Sequence, residues 1–72
     1  MSDEAAVFTF DTTHHALWAE EVAGEAGIPV EVIPAPPAAQ ARCGLALATL
    51  PGDVPRLAEE LRAGGVPFAL FG

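Results

Sequence analysis

Two segments of the sequence pass from a predicted helix into a predicted strand through glycine and proline. They are Ala26-Gly27-Ile28-Pro29-Val30 and Gly64-Gly65-Val66-Pro67-Phe68. Glycine commonly ends a helix, and a proline shortly afterwards prevents the helix from resuming. A chain that makes the same passage twice is typical of a domain built from two similar halves. This internal repeat constrains the fold more than any other feature.

Apolar patterning predicts the remaining elements. Strands are expected at residues 6–10, 30–33, 45–50 and 66–71, and helices at 14–26 and from 54 to the glycines at 64 and 65. Asp11, Thr12 and Thr13 are residue types that cap the first helix, and Asp53 is the expected cap of the second. The predicted core face of the first helix carries Leu17, Trp18, Val22 and Ala26. Trp18 and the phenylalanines are expected in the core.

The order βαββαβ predicts an α+β, two-layer ferredoxin-like sandwich with an antiparallel sheet in the order 4-1-3-2. Proline placement agrees, because Pro29 and Pro67 precede the strands expected at the two edges, where proline is tolerated. Right-handed crossovers would bring the end of strand one, the start of helix one and the start of strand three to one sheet edge. That edge is expected to gather residues 11–15 beside residues 42–44.

Composition predicts one acidic domain covering residues 1–72, with a core of about 6–71. Ten acidic residues face three arginines and no lysine, so the formal net charge is −7. Without a basic stripe, nucleic acid and anionic membranes are unfavourable partners, whereas a basic protein surface is favourable. An acidic N-terminus and the lack of a long apolar run predict a cytoplasmic protein.

Cys43 is the one cysteine and the main candidate for a reactive group. A single cysteine cannot form an internal disulfide, and a free cysteine is often a buried, inert side chain. Next to the N-terminus of the first helix, however, its thiolate would be stabilised. Gly44 would permit a tight turn or simply begin the strand, and Arg42 is expected to point away.

His14 and His15 are candidates for a base that deprotonates Cys43. A metal site is disfavoured because consecutive helical residues point about 100° apart and a full ligand set is missing; no cofactor is expected. Glu20, Glu21, Glu59 and Glu60 are interpreted as solvated helix faces. A two-layer domain of this size offers little depth for a substrate, which argues against an enzyme.

Several motifs together resemble the selenium/sulfur (Se/S) carrier protein-like family, over residues 7–71. The matching residues are Phe8-Thr9-Phe10, Thr13-His14-His15-Ala16-Leu17 with Ala19-Glu20, Gly27-Ile28-Pro29, Val32-Ile33-Pro34 and Cys43-Gly44-Leu45-Ala46-Leu47. The resemblance implies a role in sulfur or selenium trafficking, with Cys43 as the carrier residue. Other sulfur carriers place their cysteine in a Cys-Pro-x-Pro helix start, whereas this chain has Cys-Gly before a strand.

The sequence therefore predicts a carrier that accepts a persulfide or selenosulfide on Cys43 from a donor protein and passes it to an acceptor. Thr12, Thr13, His14, His15 and Gly44 are the expected supporting residues. The alternative is a noncatalytic interaction or regulatory module with a structural cysteine, and a third possibility is a thiol-dependent metal-delivery protein. Either homodimerisation or docking of a partner is expected through the sheet face that the helices leave bare. Alternation places on this face Val7, Thr9, Ile33, Ala46, Ala48, Ala69 and Phe71.

Overall fold

The structure, a computed structural model, describes residues 5–39 and 44–71. Its helices and strands are β1 (Ala6–Thr9), α1 (Thr13–Glu25), β2 (Val30–Pro34), β3 (Leu45–Thr49), α2 (Val54–Gly64) and β4 (Ala69–Phe71). Short 3-10 turns at Pro37–Ala39 and Pro51–Asp53 precede β3 and α2. The α+β class and the βαββαβ order are confirmed. No helix in the described ranges is long and apolar enough to cross a membrane.

The four strands form one sheet in the order β2-β3-β1-β4, and each neighbouring pair is antiparallel. Counted from the opposite edge, this is the predicted order 4-1-3-2. The edge strands are β2 and β4, which follow Pro29 and Pro67 as expected from the inability of proline to donate to a sheet. The layout is consistent with a ferredoxin-like domain.

One cluster of buried side chains joins the sheet to both helices. Phe8 of β1 and Leu47 of β3 are cross-strand partners, so they lie on the same sheet face. They are fully buried in a cluster with Leu57 and Leu61 of α2. Because α1 contributes to the same cluster, both helices cover the same face of the sheet.

The core face of α1 is made of alanines, which corrects the sequence-based expectation. The buried residues are Ala16, Ala19 and Ala23, and small side chains of this kind let a helix approach a sheet closely. Leu17 is instead 48% exposed and Trp18 is 37% exposed. The prediction failed because α1 has apolar residues on more than one face, so its periodicity does not identify the inner one. Val22 and Ala26 do pack against the core, as predicted.

Both helices end in the same hydrogen-bonded motif, which explains the internal repeat. Gly27 and Gly65 adopt left-handed backbone angles, with φ of 74° and 79°. The N–H of the next residue then donates back to the last helical turn, from Ile28 to the carbonyl of Ala23 and from Val66 to that of Leu61, each at 2.9 Å. This is the Schellman arrangement, in which the residue after glycine also makes an apolar contact. Ile28 and Val66 are accordingly buried.

The predicted cap of α2 and the predicted start of the last strand differ from the structure. Asp53 lies at the position before α2, but its side chain makes no capping hydrogen bond. Its backbone is helical, with φ −94° and ψ −2°, whereas a capping side chain normally requires an extended backbone. The last strand begins at Ala69 rather than at residue 66, because Val66 belongs to the helix-ending motif.

The residues predicted to share the second sheet face do so in the observed register. Val7 pairs with Ala48 and Phe71, and Thr9 pairs with Ala46 and Ala69. The centre of this face is less open than expected, because Thr9 and Ala46 are buried. Val7, Ile33 and Ala48 are half-buried and Phe71 is 37% exposed, so part of this face remains open to solvent. Dimerisation through this face stays a prediction.

Candidate functional site

The strand ends at one edge of the sheet define where the candidate site must lie. Thr9, the last residue of β1, pairs with Ala46, the second residue of β3. Pro34, which ends β2, pairs with Leu45. The start of β3 therefore lies between the ends of β1 and β2, as the predicted topology requires. Helix α1 begins four residues after Thr9, on the connection that leaves this edge.

Gly44 is the described residue closest in sequence to the candidate thiol. Its carbonyl accepts a hydrogen bond from the N–H of Ala35 at 2.9 Å, which extends the pairing of β2 and β3 by one step. Gly44 is exposed and directly precedes β3. Its supporting role at the site stays a prediction. Cys43 and Arg42 lie outside the described residues, so the closeness of Cys43 to α1 stays a prediction.

Thr12 caps the N-terminus of α1. Its backbone is extended, with φ −139° and ψ 156°, and its side-chain oxygen accepts a hydrogen bond from the N–H of His15 at 3.0 Å. The first turn of α1 contains no acidic residue. The positive end of the helix dipole is therefore not neutralised by a carboxylate from that turn, and this end of α1 favours a negative charge nearby.

The two histidines differ in their surroundings. His14 is exposed and His15 is half-buried. Their ring centroids are 6.1 Å apart, and the ring of Trp18 lies 6.1 Å from His14 and 6.4 Å from His15. Nδ1 of His15 is shielded from solvent and has no hydrogen-bond partner within the described parts of the chain. His14 is thus the imidazole that is more accessible to a group arriving from solvent.

A small cavity of about 110 Å³ opens at the same end of the sheet. It is lined by Thr9, Phe10 and Asp11 from the end of β1 and by Pro67, Phe68 and Ala69 from the start of β4. The Thr9 hydroxyl donates to the carbonyl of Ala69 across this junction at 3.4 Å. The space is small and holds at most a few water molecules. Within residues 5–39 and 44–71 no group of three or more His, Cys, Asp or Glu side chains could hold a metal ion.

Sequence reasoning missed the outward face of α1. His14, Leu17, Trp18 and Glu21 line a shallow groove of about 310 Å³ along this helix. Their spacing of i, i+3, i+4 and i+7 places them on one helical face. The spacing i, i+3 and i+7 occurs both in this row and in the alanine series that faces the core, so spacing alone does not show which row points inward.

Replacing Thr12 with alanine is expected to lower the free energy of unfolding by about 1 kcal/mol, because the first turn of α1 loses its side-chain acceptor. Urea unfolding followed by circular dichroism measures the change. Thr12→Ser is the matched control, since it keeps the hydroxyl and should change stability by only a few tenths of a kcal/mol. Equal losses in the two variants would show that the methyl group, rather than the cap, matters at this position.

Comparison with known protein families gives a match that covers nearly the whole chain. The chain matches the family described as "Putative Se/S carrier protein-like" over residues 5–71. Neither the curated proteins nor the solved structures contain a significant match. The matched region includes all six helices and strands and the Cys43–Gly44 pair. The chain therefore belongs to the Se/S carrier protein-like family.

Proposed function

We propose that this protein is a ferredoxin-like sulfur or selenium carrier, which accepts a persulfide or selenosulfide on Cys43 and delivers it to an acceptor protein. The observation that carries the proposal is membership of the Se/S carrier protein-like family over residues 5–71, a range that contains the chain's single cysteine. In this role, each protein molecule carries one sulfur or selenium atom at a time and is not itself a catalyst.

Loading is a thiol exchange in which electrons and atoms balance. The thiolate of Cys43 attacks the terminal sulfur of a persulfide on the donor protein, and a new S–S bond forms at the Sγ atom of Cys43. The donor's own S–S bond breaks, and its electron pair leaves on the donor thiolate. No external oxidant or reductant is needed. Delivery repeats the exchange, with the acceptor thiolate attacking the terminal sulfur on Cys43.

The surroundings of α1 support this chemistry. Thiolate is the reactive form of cysteine, and a helix N-terminus favours its negative charge. Thr12 orders that N-terminus, and the first turn of α1 has no acidic residue to oppose the thiolate. Thr13 contributes to the same turn, while His14 or His15 accepts the thiol proton. Gly44 keeps the strand entry open, which leaves room for a donor protein.

The test is the intact mass of the protein after incubation with a cysteine desulfurase and cysteine under non-reducing conditions. The expected result is a gain of about 32 Da, one sulfur atom, that is removed by a thiol reductant. Cys43→Ser should gain no mass and should remain folded. An unmodified wild-type protein, or an equal gain in Cys43→Ser, would overturn the carrier function and leave an interaction module with a structural cysteine.

A further inference from the structure

The outer face of α1 carries large apolar side chains that the domain covers only in part. Leu17 is 48% exposed and Trp18 is 37% exposed, although the core uses the small residues Ala16, Ala19 and Ala23 from the same helix. We call the row His14, Leu17, Trp18 and Glu21 the outer stripe. An amphipathic helix normally turns its large apolar side chains inward. Here they line an open groove of about 310 Å³.

The outer stripe continues into a second groove towards the C-terminal end of α1. This groove, of about 500 Å³, is lined by Leu17, Glu20, Glu21 and Gly24 and by residues 28–30. Gly24 lies within the helix, where glycine is unfavourable. No described atom lies within 4 Å of the position that its Cβ would occupy, so packing inside the domain does not require glycine there. Its effect is to leave a notch in the surface beside Leu17.

The charge around the outer stripe is negative. Glu20, Glu21 and Glu25 are exposed on α1, and the last turn of this helix contains no basic residue. The two described arginines both belong to α2, and neither lines the two grooves along α1. Arg56 donates from Nη2 to the carbonyl of Ala26 at 3.0 Å, and the Cζ of Arg62 lies 5.6 Å from the centre of the Phe68 ring.

We propose that the outer stripe of α1 is a docking surface for a protein partner that presents a row of apolar side chains flanked by lysine or arginine. Leu17 and Trp18 supply the apolar contact, and tryptophan is among the residues that most often dominate binding energy. The carboxylates beside them attract and orient the basic flanks. This docking surface is independent of sulfur chemistry, and it would serve either a donor or an acceptor of the carrier.

A second copy of the chain fits this surface poorly. A twofold-symmetric contact through the outer stripe would set Glu20 and Glu21 of one copy against the same acidic face of the other. The formal net charge of −7 adds to that repulsion. The same charge disfavours nucleic acid and anionic lipid. Of these candidate partners, only a basic protein surface is attracted by the negative charge of the chain.

Trp18 provides the signal for the test, because it is the only tryptophan of the chain. The probe is a synthetic helical peptide of about 15 residues, roughly four turns, with leucines along one face and arginines on both sides of them. A twin peptide carries glutamate in place of arginine. Titrations use the Cys43→Ser protein at low salt, so that no thiol exchange contributes. The arginine peptide should shift Trp18 emission to shorter wavelength and protect it from acrylamide, and the glutamate peptide should do neither.

Matched variants separate docking from general attraction. Leu17→Ser should weaken binding about tenfold or more, as expected for the loss of one buried leucine contact. The double variant Glu20→Gln, Glu21→Gln should weaken it severalfold and reduce its dependence on salt. Leu50→Ser, at a leucine 59% exposed elsewhere, and Glu59→Gln with Glu60→Gln on α2 are the controls and should leave affinity within about twofold. All the substituted residues are exposed, so the variants should fold.

Three results would overturn the docking surface. The first is that the arginine peptide shows no saturable binding. The second is that the Leu17→Ser variant binds this peptide as tightly as the protein with Leu17. The third is an equal loss when Glu59 and Glu60 are neutralised, which would mean attraction to net charge alone. Concentration-dependent self-association through Leu17 without peptide binding would instead identify a second copy as the occupant. Because sulfur loading is measured separately by mass, either proposal can fail without the other.

Discussion

Replacing Phe8 with alanine is expected to remove a large part of the stability of this domain. Phe8 is fully buried on β1, a central strand, and its ring lies 5.2 Å from that of Phe68 at an angle of 46°. Truncating a buried phenylalanine costs about 3–5 kcal/mol. A domain of this length has a total stability of roughly 4–11 kcal/mol. Urea unfolding should therefore show a transition at a much lower denaturant concentration than in the unchanged protein.

Phe71→Ala is the matched control for that experiment. Phe71 lies on the edge strand β4 and is 37% exposed, and it points to the sheet face away from the helices. Its removal should cost only about 1 kcal/mol, because much of the ring is already in water. Equal losses at Phe8 and Phe71 would mean that the second sheet face is as well covered as the core.

Enlarging Ala19 to leucine is expected to destabilise the domain by about 1–3 kcal/mol, the usual effect of adding methylene groups to a packed core. Ala19 is fully buried on the inner face of α1. Leucine is itself a good helix former, so helix propensity does not explain a loss. Thermal and urea unfolding of the same samples measure the change.

Leu17→Ala, two residues away, is the control for Ala19→Leu and should change stability by about 0.5 kcal/mol or less, because nearly half of Leu17 is already exposed. The large side chain of Leu17 would then be dispensable for stability, whereas the small side chain of Ala19 would be required for it. A stabilised Ala19→Leu variant, or a large loss in Leu17→Ala, would show that the inner face of α1 had been assigned to the wrong residues.

The sheet order followed from the sequence because topology depends on a few strong rules. The Gly-x-Pro junctions indicate the helix ends, the βαββαβ pattern has 4-1-3-2 as its usual sheet order, and Pro29 and Pro67 agree with the two edge strands. The inner face of α1 could not be predicted in the same way. Alanine is apolar but small, so the series Ala16, Ala19 and Ala23 gives a weaker signal than Leu17 and Trp18, although close packing favours the small residues.

The candidate site was predictable to the level of strand ends. The shared edge of the end of β1 and the start of β3 follows from the sheet order, and Thr12 is one of three consecutive residues suited to capping. Which of the three caps could not be predicted, because it depends on the residue at which the backbone turns from extended to helical. The missing cap at Asp53 has the same cause. Asp53 is the last residue of a 3-10 turn, so its backbone is already helical before α2 begins.

The pairing of β1 with β4 has a consequence for synthesis. The Thr9 hydroxyl reaches the carbonyl of a residue 60 positions later in the chain, and β1 is a central strand. During synthesis, β1 therefore gains β4 as its second neighbouring strand only after almost the whole domain has been made. Pairing over such a separation slows folding. The sheet edge beside the start of α1 is therefore completed only after β4 has been synthesised.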